Sequence, residues 1–94
     1  MRYQFEYKVE NFDSIKADIE RGVSSDTLPV RGNITLEVVR EDDFVYVDLR
    51  DYLRDDDTFV AGWFYSFVEF MSLTEEDFNR VVTYLYNTEV LNNT

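Results

Sequence analysis

The sequence predicts an α+β domain, with a small antiparallel or mixed sheet packed by about three helices. Three observations carry the prediction. Residues 2–10 alternate polar and apolar side chains, residues 34–49 form two more alternating runs around an acidic turn, and residues 74–87 pair a capping signal with apolar residues at helical spacing. In chain order the elements read β-α-β-β-α-α. With 94 residues there is room for one domain, spanning 1–94.

The opening stretch RYQFEYKVE places Tyr3, Phe5, Tyr7 and Val9 on one side and Arg2, Gln4, Glu6, Lys8 and Glu10 on the other, which is the pattern of a half-buried strand. The helix that follows is capped by Asn11 or Asp13. Phe12, Ile15 and Ile19 form its stripe, and Gly22 stands where a C′ glycine belongs. The run VSSDTLPVRGN reads as a connecting loop, with Leu28 pushed to extended geometry by Pro29.

ITLEVVREDDFVYVDL reads as a hairpin. With Glu41-Asp42 at the turn, or a four-residue loop in the same register, Val38 faces Val45, Leu36 faces Val47 and Ile34 faces Leu49. The reverse face then carries Glu37, Val39, Phe44, Tyr46 and Asp48. The stretch from Phe59 to Met71 is assigned to a helix by its length and by Phe59, Trp63, Phe67 and Phe70 at helical spacing. Its apolar residues run nearly all round, so a homodimer through this segment is expected to cover the surplus. The last helix is capped by Thr74 with Asp77 three residues on, and Leu73 with Phe78 form a hydrophobic staple.

Composition limits the chemistry. The chain has 20 Asp and Glu against nine Lys and Arg, a formal net charge of −11, and neither histidine nor cysteine. Disulfides, thiolate metal sites and histidine-dependent triads are excluded. There is no phosphate-cradling glycine motif. An EF-hand register from Asp55 puts Val60 where glycine is needed, and one from Asp51 puts Leu53 at a ligand position. The sequence is therefore read as a non-enzyme with no cofactor and no metal. The first ten residues offer no apolar leader, and no apolar run is long enough to span a membrane, so a cytoplasmic location is expected.

Residues 40–57 concentrate eight carboxylates and three arginines. Asp55, Asp56, Asp57, Glu75, Glu76 and Asp77 have a structural explanation at helix N-termini, where acids complement the dipole. Glu37, Glu41, Asp42, Asp43, Asp48 and Asp51 lie on or beside the hairpin, where neighbouring like charges cost stability. All twelve are the candidate partner-binding carboxylates. Duplex DNA carries one charge per about 1.7 Å of axis, so a chain roughly 32 Å across matches about nineteen phosphates.

In size, charge and lack of catalytic residues, the whole chain resembles phage-encoded DNA-mimic inhibitors of the anti-restriction (Arn-like) kind. The resemblance is one of overall character and carries no motif. It implies an inhibitor that fills the DNA-binding site of a restriction or other host-defence nuclease, such as a McrBC-type enzyme, in the host cytoplasm. The expected partner is a basic DNA-binding protein or nuclease, with no direct binding of nucleic acid or membrane. Two other readings stay open: an immunity protein that neutralises a basic nuclease toxin, and a non-specific acidic interaction domain.

Overall fold

Alternation in the middle of the chain builds a four-stranded antiparallel sheet in the computed structural model, which describes residues 5–25, 27–53 and 58–92. The elements are α1 (Phe12–Glu20), β1 (Leu28–Arg31), β2 (Ile34–Glu41), β3 (Phe44–Asp51), β4 (Thr58–Ser66), α2 (Phe67–Ser72) and α3 (Glu75–Leu85), ending in a π-helical segment, Tyr86–Leu91. The sheet order is β1-β2-β3-β4. The fold is thus α+β, but its order is α-β-β-β-β-α-α, and three parts of the expected β-α-β-β-α-α order need correction.

The opening segment alternates as expected, with Tyr7 and Val9 buried and Glu6, Lys8 and Glu10 exposed, yet from Phe5 onward it does not join the sheet. Side chains of α3 and the π-helical segment take the place of a neighbouring strand. The Phe5 N–H donates to Asn87 Oδ1 (3.3 Å), Tyr7 N–H to Thr83 Oγ1 (2.9 Å) and Val9 N–H to Asn79 Oδ1 (2.8 Å). Two extended residues advance about 6.6 Å and four helical residues about 6.0 Å, so alternate amides stay in step with every fourth helical side chain. These three amides are satisfied without a strand partner.

β1 falls in the stretch expected to be loop. Gly32, at φ +60°, and Asn33 turn the chain tightly, and β1 folds back on β2 with Leu28 opposite Leu36 and a register shift between Pro29 and Arg31. Ser25 extends the pairing: its N–H donates to Val38 O (2.9 Å) and its Oγ accepts from Val38 N–H (3.0 Å).

The segment expected to be a helix from Phe59 is a strand up to Ser66 and helical only from Phe67. β4 pairs along all of β3, with Val45 opposite Tyr65, Val47 opposite Trp63 and Leu49 opposite Ala61. The β3 edge supplies a ladder of backbone partners, and aromatic and β-branched side chains suit a pleated surface. Ser66 then stops the strand and starts α2 through a capping box with Glu69. The α3 cap matches expectation: Thr74 Oγ1 accepts from Asp77 N–H (3.1 Å), and Asp77 Oδ2 accepts from Thr74 N–H (3.3 Å).

The β2–β3 hairpin forms, but two residues out of the expected register. Val38 faces Val47, Leu36 faces Leu49 and Ile34 faces Asp51. The turn is Asp42-Asp43, with Asp42 at φ +53°, a left-handed conformation that Asp tolerates better than most side chains. Moving the turn by one residue moves each partner by two, so the set of inward-facing residues is unchanged.

Leu36, Val38, Val45, Val47 and Leu49 are fully buried beneath Phe12, Ile15 and Ile19 of α1, Phe70 of α2, and Phe78, Val82 and Leu85 of the last helix. Phe12 stacks on Phe78 at 4.7 Å, and Phe70 meets Phe78 edge-on at 6.4 Å. All the helices lie on one face of the sheet. Among the described residues no second layer covers the other face, and the candidate site lies there.

Candidate partner-binding face

The strand pairs fix what the uncovered face displays. β2 contributes Thr35, Glu37, Val39 and Glu41, β3 contributes Phe44, Tyr46, Asp48 and Arg50, and β4 contributes Phe59, Gly62, Phe64 and Ser66. Two textures result. Phe44 and Phe64 meet edge-on at 6.1 Å with Tyr46 6.0 Å from Phe64, and Phe44, Phe59 and Phe64 stay about half exposed. Beside them a shallow cleft of about 250 Å³ is walled by Glu37, Glu41, Tyr46, Asp48 and Arg50.

Asp48 is the strained member of the cleft. It sits directly opposite Glu37, and its side chain is only 17% exposed. Burial pushes its carboxyl above the usual carboxylate range; Glu37 and Glu41 push the same way, while Arg50, 3.9 Å away, pulls it down. Gly62 faces Asp48 from β4, and a Cβ there would lie 2.6 Å from Asp48 Oδ1. The missing side chain makes room for the carboxylate.

The structure divides the twelve candidate carboxylates. Glu37, Glu41 and Asp48 share the open face, and Asp42 and Asp43 project from the hairpin turn at its end. Asp51 is only 8% exposed: its Oδ1 accepts from Asn33 Nδ2 and from Leu53 N–H (3.1 Å), so it anchors a turn and is not available as surface charge. Glu75, Glu76 and Asp77 begin α3 in the helical layer, on the opposite side of the sheet. Hydrogen bonds from Thr74 hold the Asp77 carboxyl below its usual range. Asp55, Asp56 and Asp57 lie outside the described residues.

Comparison with protein families, characterised proteins and solved structures returned no match.

Several cations are committed elsewhere. Lys16 Nζ donates to Met71 O (3.0 Å) and Leu73 O at the end of α2, and Arg40 Nη1 donates to Ile19 O (3.0 Å) at the end of α1 while lying 4.0 Å over the Phe67 ring. Arg31 covers the Phe5 ring at 5.4 Å. These side chains cap helices and cover aromatics. Glu37, Glu41, Asp42 and Asp43 make no ion pair among the described residues. Among those residues no cluster of carboxylates could hold a metal ion, and no helix is long and apolar enough to cross a membrane.

The aromatic half of the site was partly readable. Phe44 and Tyr46 follow from hairpin alternation. Phe59 and Phe64 do not, because a helical reading of their segment scatters them around an axis.

Proposed function

We propose that this protein is a DNA-mimic inhibitor: an acidic binding protein that occupies the DNA-binding surface of a basic, DNA-handling partner, such as a restriction or other host-defence nuclease. One observation carries the reading. Of the 16 acidic residues described, Asp51 is buried and Asp48 mostly so, and the rest are spread over both layers while Lys16, Arg31 and Arg40 serve the protein's own backbone and rings. The molecule is a slab of 36 × 33 × 20 Å, and a duplex of comparable length carries about twenty charges. Binding is steered by charge and weakens as salt rises.

The aromatic patch favours a second reading, an immunity protein that neutralises a basic nuclease toxin through one compact face. Phe44, Phe59 and Phe64 beside Glu37 and Asp48 have the anchor-and-rim composition of a binding hot spot. A second copy of the chain, expected from the sequence to pair through the segment from Phe59 to Met71, is a rival occupant of that segment and one that charge disfavours.

Affinity capture from a bacterial lysate at graded salt, eluting with duplex DNA, tests the first reading. Capture of DNA-binding proteins that DNA releases supports it; capture that DNA leaves untouched refutes it. Replacing Phe64 by Ala separates the two. A loss of tenfold or more favours the compact face, and little change favours a dispersed mimic.

A further inference from the structure

β4 closes the sheet on one side, and its nine residues, TFVAGWFYS, contain no charge and no proline. Among the described residues its outer edge makes no backbone hydrogen bond to another segment. The opposite edge is different. β1 has four residues, a register shift and Pro29, all of which blunt an edge against pairing. β4 is long and uncharged, and it leaves Phe59, Trp63 and Phe64 at least half exposed.

A groove of about 520 Å³ runs between β4 and α3. Its walls are mainly apolar, with Trp63 and Tyr65 from the strand and Val81 and Tyr84 from the helix, and Asp77 and Arg80 stand beside them. Trp63 is 51% and Tyr84 49% exposed. An edge strand flanked by such a groove is the arrangement in which an added strand gains affinity from main-chain bonds and specificity from alternate side chains.

We infer that β4 and this groove take up an extended segment of a basic partner protein as a fifth strand, with alternate apolar side chains in the groove and lysine or arginine between them. The charge argument selects this occupant. Arg80 already pairs with Glu76 and Asp77, Glu75 stands beside them at the start of α3, and burial, then Asp77 and Glu69, raise the Tyr65 hydroxyl above its usual pKa, so the surroundings are negative. A second copy would bring another −11 and a strand with no cation to meet it. A basic segment brings the opposite sign. From the proposed function the inference takes only the partner's positive charge.

The chain's single tryptophan is Trp63, so its fluorescence reports on the groove. The probes are a blocked seven-residue peptide alternating lysine and valine, the same peptide N-methylated at alternate residues, and a lysine homopeptide of equal length. The alternating peptide should shift Trp63 emission to the blue and slow amide exchange at alternate residues of β4. N-methylation, or Tyr84→Lys in the protein, should weaken binding at least tenfold. Equal binding of all three peptides with unchanged Trp63 emission overturns the strand-addition inference but leaves the DNA-mimic reading standing. A dimer by light scattering that protects the same β4 amides without peptide also overturns it, since a second copy then holds the edge. Peptide binding as described, with no DNA-releasable partner in lysate, supports strand addition and removes the mimic reading alone.

Discussion

Asp48→Asn should make the protein more stable and a weaker binder at once. The substitution keeps the shape of the side chain and removes its charge. Wild-type Asp48 is mostly buried and faces Glu37 directly, with Glu41 also repelling it, and its compensating cation Arg50 is 3.9 Å away. Like charges opposite one another on a sheet cost about 0.2–1 kcal/mol. For a domain of this size that converts to a gain in Tm of a few degrees, at roughly 4–8 °C per kcal/mol. The pH dependence has a fixed sign. Because the folded-state pKa is raised, the protonated form favours folding: its contribution is complete below the unfolded value of about 3.9 and is lost as pH rises through the folded-state pKa. The Asn variant imitates the protonated form. Its advantage over the wild type should be largest near neutral pH and should vanish by about pH 3, below the unfolded value. Urea titrations followed by circular dichroism at the two pH values measure it. A variant less stable than wild type at neutral pH, or a difference unchanged by pH, refutes the reasoning about this cleft.

Thr83→Val keeps the volume but removes the acceptor for the buried Tyr7 N–H, so chemical denaturation should show a loss of about 1–3 kcal/mol. Gly62→Ala sets a Cβ against Asp48 Oδ1 and should cost about 1–3 kcal/mol. Much of that loss should return in the double variant with Asp48→Ala, a coupling that a double-mutant cycle reads directly. Neutralising Glu37, Glu41 and Asp48 together with Gln and Asn should leave the fold intact by circular dichroism and flatten the salt dependence of partner capture.

What the sequence disclosed follows from how local each signal is. The α1 and α3 caps rest on residues three apart, and both formed: Asn11 Oδ1 accepts from Ser14 N–H, and Thr74 exchanges bonds with Asp77. The hairpin's inward-facing residues were readable because period two survives a two-residue slip, while the slip itself depended on which acidic pair takes the turn. β1 does carry a local signal, since Gly32-Asn33 between extended runs is a two-residue hairpin turn, but Pro29 and the serines before it give the stretch the composition of a loop. The segment 59–66 was ambiguous, because its apolar residues satisfy period 3.6 as well as strand composition. What decided it was the free edge of β3, which no window of sequence displays. The docking of residues 5–9 was less readable still. Asn79, Thr83 and Asn87 lie seventy or more residues from the amides they satisfy. As for the site, the hairpin carboxylates and Phe44 and Tyr46 were readable together, whereas the burial of Asp51 depended on the Gly32-Asn33 turn that brings Asn33 to it.

Displacement of DNA is the most direct test of the proposed function. A partner captured from lysate is purified and loaded with a fluorescently labelled duplex, and anisotropy is followed as the acidic protein is added. Anisotropy should fall to the value of free duplex at stoichiometric protein, and log affinity should decline with log salt concentration. A ternary complex, in which the protein binds while the duplex stays on its partner, contradicts occupation of the DNA-binding surface.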